Sequence, residues 1–136
     1  MKHLRHVAVL LASSIAVLSM LGCGSDKANP ISGFEPEIIN DADAFQFQVT
    51  NATNVSVNLS YEWQNTGAQA TINHSTALDA GTATVTLFDA DATQMYQNGL
   101  LASGTHSSAT GTPGTWTVRV SLVNFSGTVN FRVEKL

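Results

Sequence analysis

The sequence predicts an all-β protein, an antiparallel β-sandwich or jelly roll of about eight short strands, and three observations predict it. From residue 44 onward apolar and polar side chains alternate with a period of two. Asn, Asp and Gly clusters punctuate the alternating runs at short intervals. Beyond the first 22 residues Thr, Ser, Asn, Ala and Gly dominate and Lys and Glu are scarce, a composition that favours strands and turns over surface helices.

Taken in order, residues 23–43 read as a tether: Gly24, Ser25, Pro30, Gly33 and Pro36 interrupt any period, and a part of it has the option of lying along the domain as an edge strand. Asp41 and Asp43 begin a turn. The folded domain is expected over 44–136. Phe45, Phe47 and Val49 alternate with Gln46, Gln48 and Thr50. After Asn51–Asn54 comes the cleanest run, with Val55, Val57, Leu59, Tyr61 and Trp63 on one side and Ser56, Asn58, Ser60, Glu62 and Gln64 on the other, a strand with one face buried and one wet. Asn65-Thr66-Gly67 is a turn signal, and Ala68 to His74 a weaker strand with Ala70 and Ile72 inward. Asp79-Ala80-Gly81 turns the chain into Thr82–Phe88, which ends at Asp89-Ala90-Asp91. Thr93 to Gln97 is a short partner, Asn98-Gly99 a turn, and Leu100 to Ser107 another strand. Residues 108–114 are a loop. Trp116, Val118, Val120 and Leu122 then alternate with Thr117, Arg119 and Ser121; Asn124-Phe125-Ser126-Gly127 turns the chain back; and Val129, Phe131 and Val133 close the domain.

Ahead of this domain, residues 1–22 have the form of an export signal. Lys2 and Arg5 precede a run from Val7 to Leu21 that is apolar or small and too short to span a bilayer comfortably. The run ends in Met20-Leu21-Gly22-Cys23, and Cys23 is the only cysteine. This stretch resembles the lipobox of bacterial lipoproteins, with Met20 where leucine is usual. The resemblance implies that the Cys23 thiol carries a diacylglycerol and becomes the new N-terminus. Gly24 after the cysteine implies sorting to the outer membrane where the host has one. Several acyl chains on one residue anchor stably, at about 0.8 kcal/mol per buried methylene. The expected membrane attachment is therefore this anchor.

Without residues 1–22 the chain keeps 114 residues, enough for one domain with a modest core. A single cysteine excludes an intrachain disulfide and a cysteine-built zinc site. That portion holds four basic residues against ten acidic ones, a formal charge of −6. No basic stripe is present to neutralise phosphates, which argues against a nucleic-acid partner.

Within the domain, Thr84-Val85-Thr86-Leu87-Phe88-Asp89-Ala90-Asp91, Gly114-Thr115-Trp116-Thr117-Val118-Arg119-Val120 and Gly127-Thr128-Val129-Asn130-Phe131-Arg132-Val133 follow one pattern. An apolar strand ends in an aspartate turn, a glycine leads an aromatic-centred strand, and a glycine leads a last strand. The pattern resembles the bacterial pre-peptidase C-terminal domain and related small jelly-roll modules. Members often carry glycine after the second turn aspartate, where this chain has Ala92. The resemblance covers about half of the chain beyond the leader and implies adhesion, substrate targeting or a solubilising spacer.

Candidate chemistry is sparse. Asp89 and Asp91 lie two apart at a strand end and, with Asp41, Asp43 or Asp79 nearby, would offer oxygen ligands to calcium; aspartate is also simply a good turn former. No other cofactor is indicated. His74 and His106 are the only histidines beyond the leader, and neither has the sequence surroundings of a Ser-His-Asp site. Both are expected at the surface or a sheet edge. Glu62 projects from a wet face and Glu35 and Glu37 lie in the tether, so no carboxylate pair marks a hydrolase cleft. Trp63, Tyr61 and Trp116 share the phase of Val and Leu and are expected in the core. The expectation is a lipid-anchored envelope protein that is not an enzyme: a binding module for an unidentified glycan or protein. A structural accessory of an envelope complex is the alternative, and a small hydrolase comes third.

Overall fold

A computed structural model describes residues 34–136. The leader, Cys23 and the first part of the tether lie outside the described residues. The described chain is all-β. Strands β1 (Glu37–Asp41), β2 (Ala44–Asn65), β3 (Ala70–Phe88), β4 (Gln94–Gly99), β5 (Gly104–Ser107) and β6 (Gly114–Lys135) form one antiparallel sheet in the order β1-β2-β6-β3-β4. β6 occupies one edge of β3 along its length; β5 and β4 share the other edge, β5 against residues 71–74 and β4 against 84–88.

Strands β2 and β6 run 22 residues each and β3 runs 19, well beyond ordinary strand length. They reach that length because they bend. Phe45 and Tyr61 belong to the same strand, 16 positions apart, which is about 50 Å of extended chain. Yet their ring centroids are 5.4 Å apart. The strand therefore folds back over itself, and its halves face each other across the core. β3 and β6 bend beside it, so the single sheet closes into a sandwich whose two layers share three strands. One layer holds β1, β5 and residues 44–49, 70–78 and 127–135 of the long strands. The other holds β4 and residues 55–65, 82–88 and 114–123.

The alternation read from the sequence supplies the inner faces of both layers. Phe45, Phe47, Phe125, Phe131, Trp63 and Trp116 are fully buried together with Val55, Ile72, Val85, Leu87 and Leu122. Phe47 stacks on Phe131 at 5.4 Å, and Trp63 meets Trp116 edge-on at 6.0 Å and 86°. Each such ring removes about 150–250 Å² from water, worth about 4–6 kcal/mol before the entropy of ordering it is counted. Tyr61 is half-buried, at the margin of this core.

The bends are where the register slips. β2 shifts against β6 between Val49 and Val57, and β3 shifts against β6 between Leu78 and Thr82. The residues at these points take left-handed backbone: Asn51 (φ 53°), Asn54 (φ 49°), Gly81 (φ 79°), Asn124 (φ 48°) and Gly127 (φ 132°). Asn and Gly adopt that region most cheaply. Side chains take over where the ladder is interrupted. Asn51 N–H donates to Thr128 Oγ1 at 3.3 Å, Asn54 N–H to Ser126 Oγ at 2.9 Å, and Asn124 N–H to Ser56 Oγ at 2.9 Å. The Asn, Ser and Thr content of these segments thus keeps the backbone hydrogen-bonded through the corner.

Four expectations change accordingly. The segments 51–54, 79–81 and 124–127 are corners within continuous strands and not reversals, so six long and short strands replace about eight short ones. The pairing with β6 continues on both sides of each corner, and that is what makes them corners. The tether bounds shorten, because the option of an edge strand within it is realised: Glu37–Asp41 pairs with β2 and Phe34 is buried against the core. Asn98-Gly99 lies inside β4, and the reversal falls at residues 100–103, where Leu100 is buried and its N–H donates to Ala83 O at 2.8 Å. His74 is buried, as described below.

One end of the sandwich is tied by Asp43, at the tip of the β1–β2 hairpin (φ 65°). Its carboxylate accepts hydrogen bonds from Thr66 N–H at 2.7 Å and Thr66 Oγ1 at 2.9 Å, and pairs with Lys135 Nζ at 2.9 Å. Its backbone bonds Gln64 O and Lys135 N–H. The Lys135 ammonium and then the Thr66 N–H lower the Asp43 carboxyl from its ordinary 3.8 to about 2. A depressed carboxyl stabilises the fold above its unfolded value, and that stabilisation is lost as pH falls from about 4 to about 2. The group is solvent-facing, so the effect is modest. Asp43→Asn should flatten the acid limb of denaturant midpoints across this window and leave the neutral-pH slope unchanged.

Candidate functional site

Three places bring functional groups together. The broadest is the outer face of the β5/β1 layer. Antiparallel register sets its rows: Thr105, Asn73, Arg132, Gln46 and Ile39 lie side by side across five strands, flanked by a row containing Ser75, Asn130, Gln48 and Glu37. At about 4.8 Å between strands the row spans about 19 Å. The side chains are mutually oriented. Asn73 Nδ2 donates to Thr105 Oγ1 at 2.8 Å, Asn130 Nδ2 to Gln48 Oε1 at 3.1 Å, and Arg132 Nε to Gln46 Oε1 at 3.0 Å. Thr71, Asn73, Ser75, Thr105, Asn130, Arg132 and Glu134 line a depression of about 410 Å³. This face combines amides, hydroxyls, one guanidinium and the carboxylates of Glu37 and Glu134, so it presents donors and acceptors together.

The second place is the turn after β3. Asp89 is buried and both of its carboxylate oxygens accept backbone donors: Asp91 N–H at 3.0 Å and Thr93 N–H at 2.9 Å on Oδ1, and Thr112 N–H at 2.9 Å on Oδ2. The Thr112 N–H, followed by those of Thr93 and Asp91, lowers its carboxyl against the opposing effect of desolvation. Asp91 Oδ2 accepts from Thr112 Oγ1 at 2.6 Å. The two aspartates both engage Thr112, Asp89 through its N–H and Asp91 through its hydroxyl, while Asp89 also holds the N–H groups of its own turn. Asp43 is engaged at the hairpin tip described above. Among the described residues no group of three or more His, Cys, Asp or Glu side chains is placed to hold a metal. Ala92 in this turn sits at φ 59°, a conformation that glycine adopts without strain.

The third place is a cleft of about 420 Å³ between β3, β5 and the 99–103 segment. His74 is in phase with Ala70 and Ile72 and is only 3% exposed. His74 pairs with Gly104 and Ile72 with His106, so the two histidines are diagonal neighbours on one face. Their rings lie 5.2 Å apart and 11° from parallel, and Tyr96 flanks His106 at 6.1 Å. Both ring nitrogens of His74 are buried without a hydrogen-bond partner, a situation that costs about 1–3 kcal/mol. Burial, and then the neighbouring His106, push its pKa below 6.5. Sequence phase pointed His74 inward; the general surface preference of histidine pointed the other way, and phase prevailed. His106, on its four-residue edge strand, is exposed as expected.

The polar face was visible in the sequence only as the wet side of several strands. Its assembly across five of them follows from the order β1-β2-β6-β3 with β5 outside, which no local pattern encodes.

No protein-family model matches the chain, and no curated protein does. Among solved structures, the arabinose-bound MgGH51 α-L-arabinofuranosidase aligns with 79% of this chain and 24% of its own, at 13% identity and a TM-score of 0.35. A likeness of that degree carries no statement about this chain's fold or activity.

Proposed function

We propose that this protein is a non-catalytic binding module of the bacterial cell envelope, anchored through a lipid on Cys23, and that the polar outer face of the β5/β1 layer binds glycan. The contiguous face around Asn73, Asn130 and Arg132 is the observation that carries this reading. Sugar hydroxyls donate and accept, and a lattice of amides, hydroxyls, Arg and Glu answers both. Protein interfaces centre instead on buried aromatic and apolar anchors, and among the described residues the large apolar side chain within the rows of this face is Ile39, 51% exposed. The left-handed Ala92, at the position where the pre-peptidase C-terminal modules often carry glycine, supports the resemblance to those targeting domains.

A binding panel of soluble envelope and matrix polysaccharides tests the face. Asn73→Ala and Arg132→Ala each remove one oriented hydrogen-bonding group from an exposed position. Each should weaken glycan affinity by about 5–30-fold while shifting stability by less than about 0.5 kcal/mol. Wild-type affinity in both variants contradicts the assignment. For the anchor, Cys23→Ser should release the protein from the membrane fraction or leave the leader uncleaved; normal processing with full membrane retention contradicts it.

The alternative, a structural accessory, has one observation in its favour. β1 covers β2 only over residues 44–48, and among the described residues no strand pairs the same edge of β2 beyond them, beside the half-buried Val57, Leu59 and Tyr61. Such an edge is suited to adding a strand from another protein.

A further inference from the structure

We propose that His74 and His106 form a two-imidazole site for a borderline-soft divalent transition-metal ion, with Zn²⁺ as its probe. Neutral imidazole nitrogens are ligands for Zn²⁺, Cu²⁺ and Ni²⁺. Those of His74 are buried and without a hydrogen-bond partner beside a cleft, a cost that a bound group would relieve. Burial also keeps this ring in the unprotonated form that ligates.

The spacing fits. Metal–nitrogen bonds of about 2.0–2.1 Å put each ring centre about 3.2 Å from the ion, so two rings at a tetrahedral angle have centres about 5 Å apart. Here the centres are 5.2 Å apart with the rings stacked 11° from parallel, so the separation suits the site while His106 has to turn to present a nitrogen to it. Rotation about the side-chain bonds of His106, which is on the exposed edge, brings its nitrogen toward the shared position. Gly104 makes the room: a Cβ there would stand 3.0 Å from His106 Nε2. Ser103 and Asn98 line the same cleft with neutral oxygens and no carboxylate, which disfavours calcium and magnesium and leaves water to complete the shell. Both ligands sit on an antiparallel strand pair, so the site is held by the sheet.

The test is a Zn²⁺ titration of the full chain by calorimetry, with the thermal midpoint read in parallel. The wild type should bind Zn²⁺ and gain midpoint. His106→Ala, an exposed change, and His74→Phe, which keeps a ring in the core slot, should each weaken binding by about tenfold or more. Glu62→Gln, at an exposed carboxylate away from this cleft, should leave it unchanged. Binding in His106→Ala equal to wild type, loss of binding in Glu62→Gln, or no wild-type binding up to ~1 mM Zn²⁺ overturns the proposal.

Discussion

Gly127→Ala should destabilise the fold by about 2–5 kcal/mol, the sum expected for a strained backbone and a steric insertion. Gly127 sits at φ 132°, where an L side chain is strained, and it lies at the corner where β6 passes from one layer to the other. An added Cβ would stand 2.2 Å from the carbonyl oxygen of Ala77 on the neighbouring β3. That oxygen belongs to a paired strand, so relief requires moving β3 itself. Gly81 poses the same problem from the opposite strand, with a Cβ 2.3 Å from Asn124 O at φ 79°. Gly81→Ala should therefore behave alike. Gly99 is the control: its Cβ would meet nothing closer than 3.8 Å, and Gly99→Ala should fall within about 0.5 kcal/mol of wild type. Urea midpoints for the three variants check the claim. A Gly127→Ala protein as stable as Gly99→Ala would mean that the corner is not built as described.

Trp116→Ala should cost about 3–5 kcal/mol, the range for deleting a buried large aromatic side chain. Trp116 is fully buried and packs edge-on against Trp63, so its removal leaves a cavity between the layers. It also does a second job. Its Nε1–H donates to Thr112 O at 2.7 Å, and Thr112 N–H in turn donates to Asp89. The indole thereby ties the core to the loop that Asp89 clamps. Trp116→Phe keeps most of the ring and removes this donor, and should cost about 1–3 kcal/mol. Trp63 offers the contrast, because its Nε1 has no hydrogen-bond partner. Trp63→Phe removes a buried polar group that was unsatisfied and should be the milder change of the two. Equal costs for the two Phe variants would show that the Thr112 bond contributes nothing.

These two results bear on what the sequence made legible. Alternation assigned Val55, Trp63 and the Trp116–Leu122 row to the core correctly, because period-two patterning follows directly from one buried face, whereas Val57, Leu59 and Tyr61 share that phase but are only partly buried at the open edge of β2. The corners were not legible. Asn51, Asn54, Gly81, Asn124 and Gly127 have the chemistry of turn residues, and left-handed backbone serves a reversal and a bend equally well. What separates the two is whether β6 stays paired on both sides, a contact between residues some 70–80 positions apart. β1 was obscure for a different reason: only Ile38 of its five residues turns partly inward, so the strand exists through pairing with β2 and not through its own pattern. For the candidate face, each polar residue was legible as solvent-facing. Their convergence was not, because it depends on sheet order.

The most direct test of the central claim is a chemical-shift titration of isotope-labelled protein with soluble envelope polysaccharide fragments. Glycan on the β5/β1 face should give perturbations centred on Asn73, Thr105, Asn130 and Arg132, with the open edge of β2 around Val57–Tyr61 unmoved. Perturbations confined to that β2 edge, or none with any fragment, would contradict a glycan-binding face.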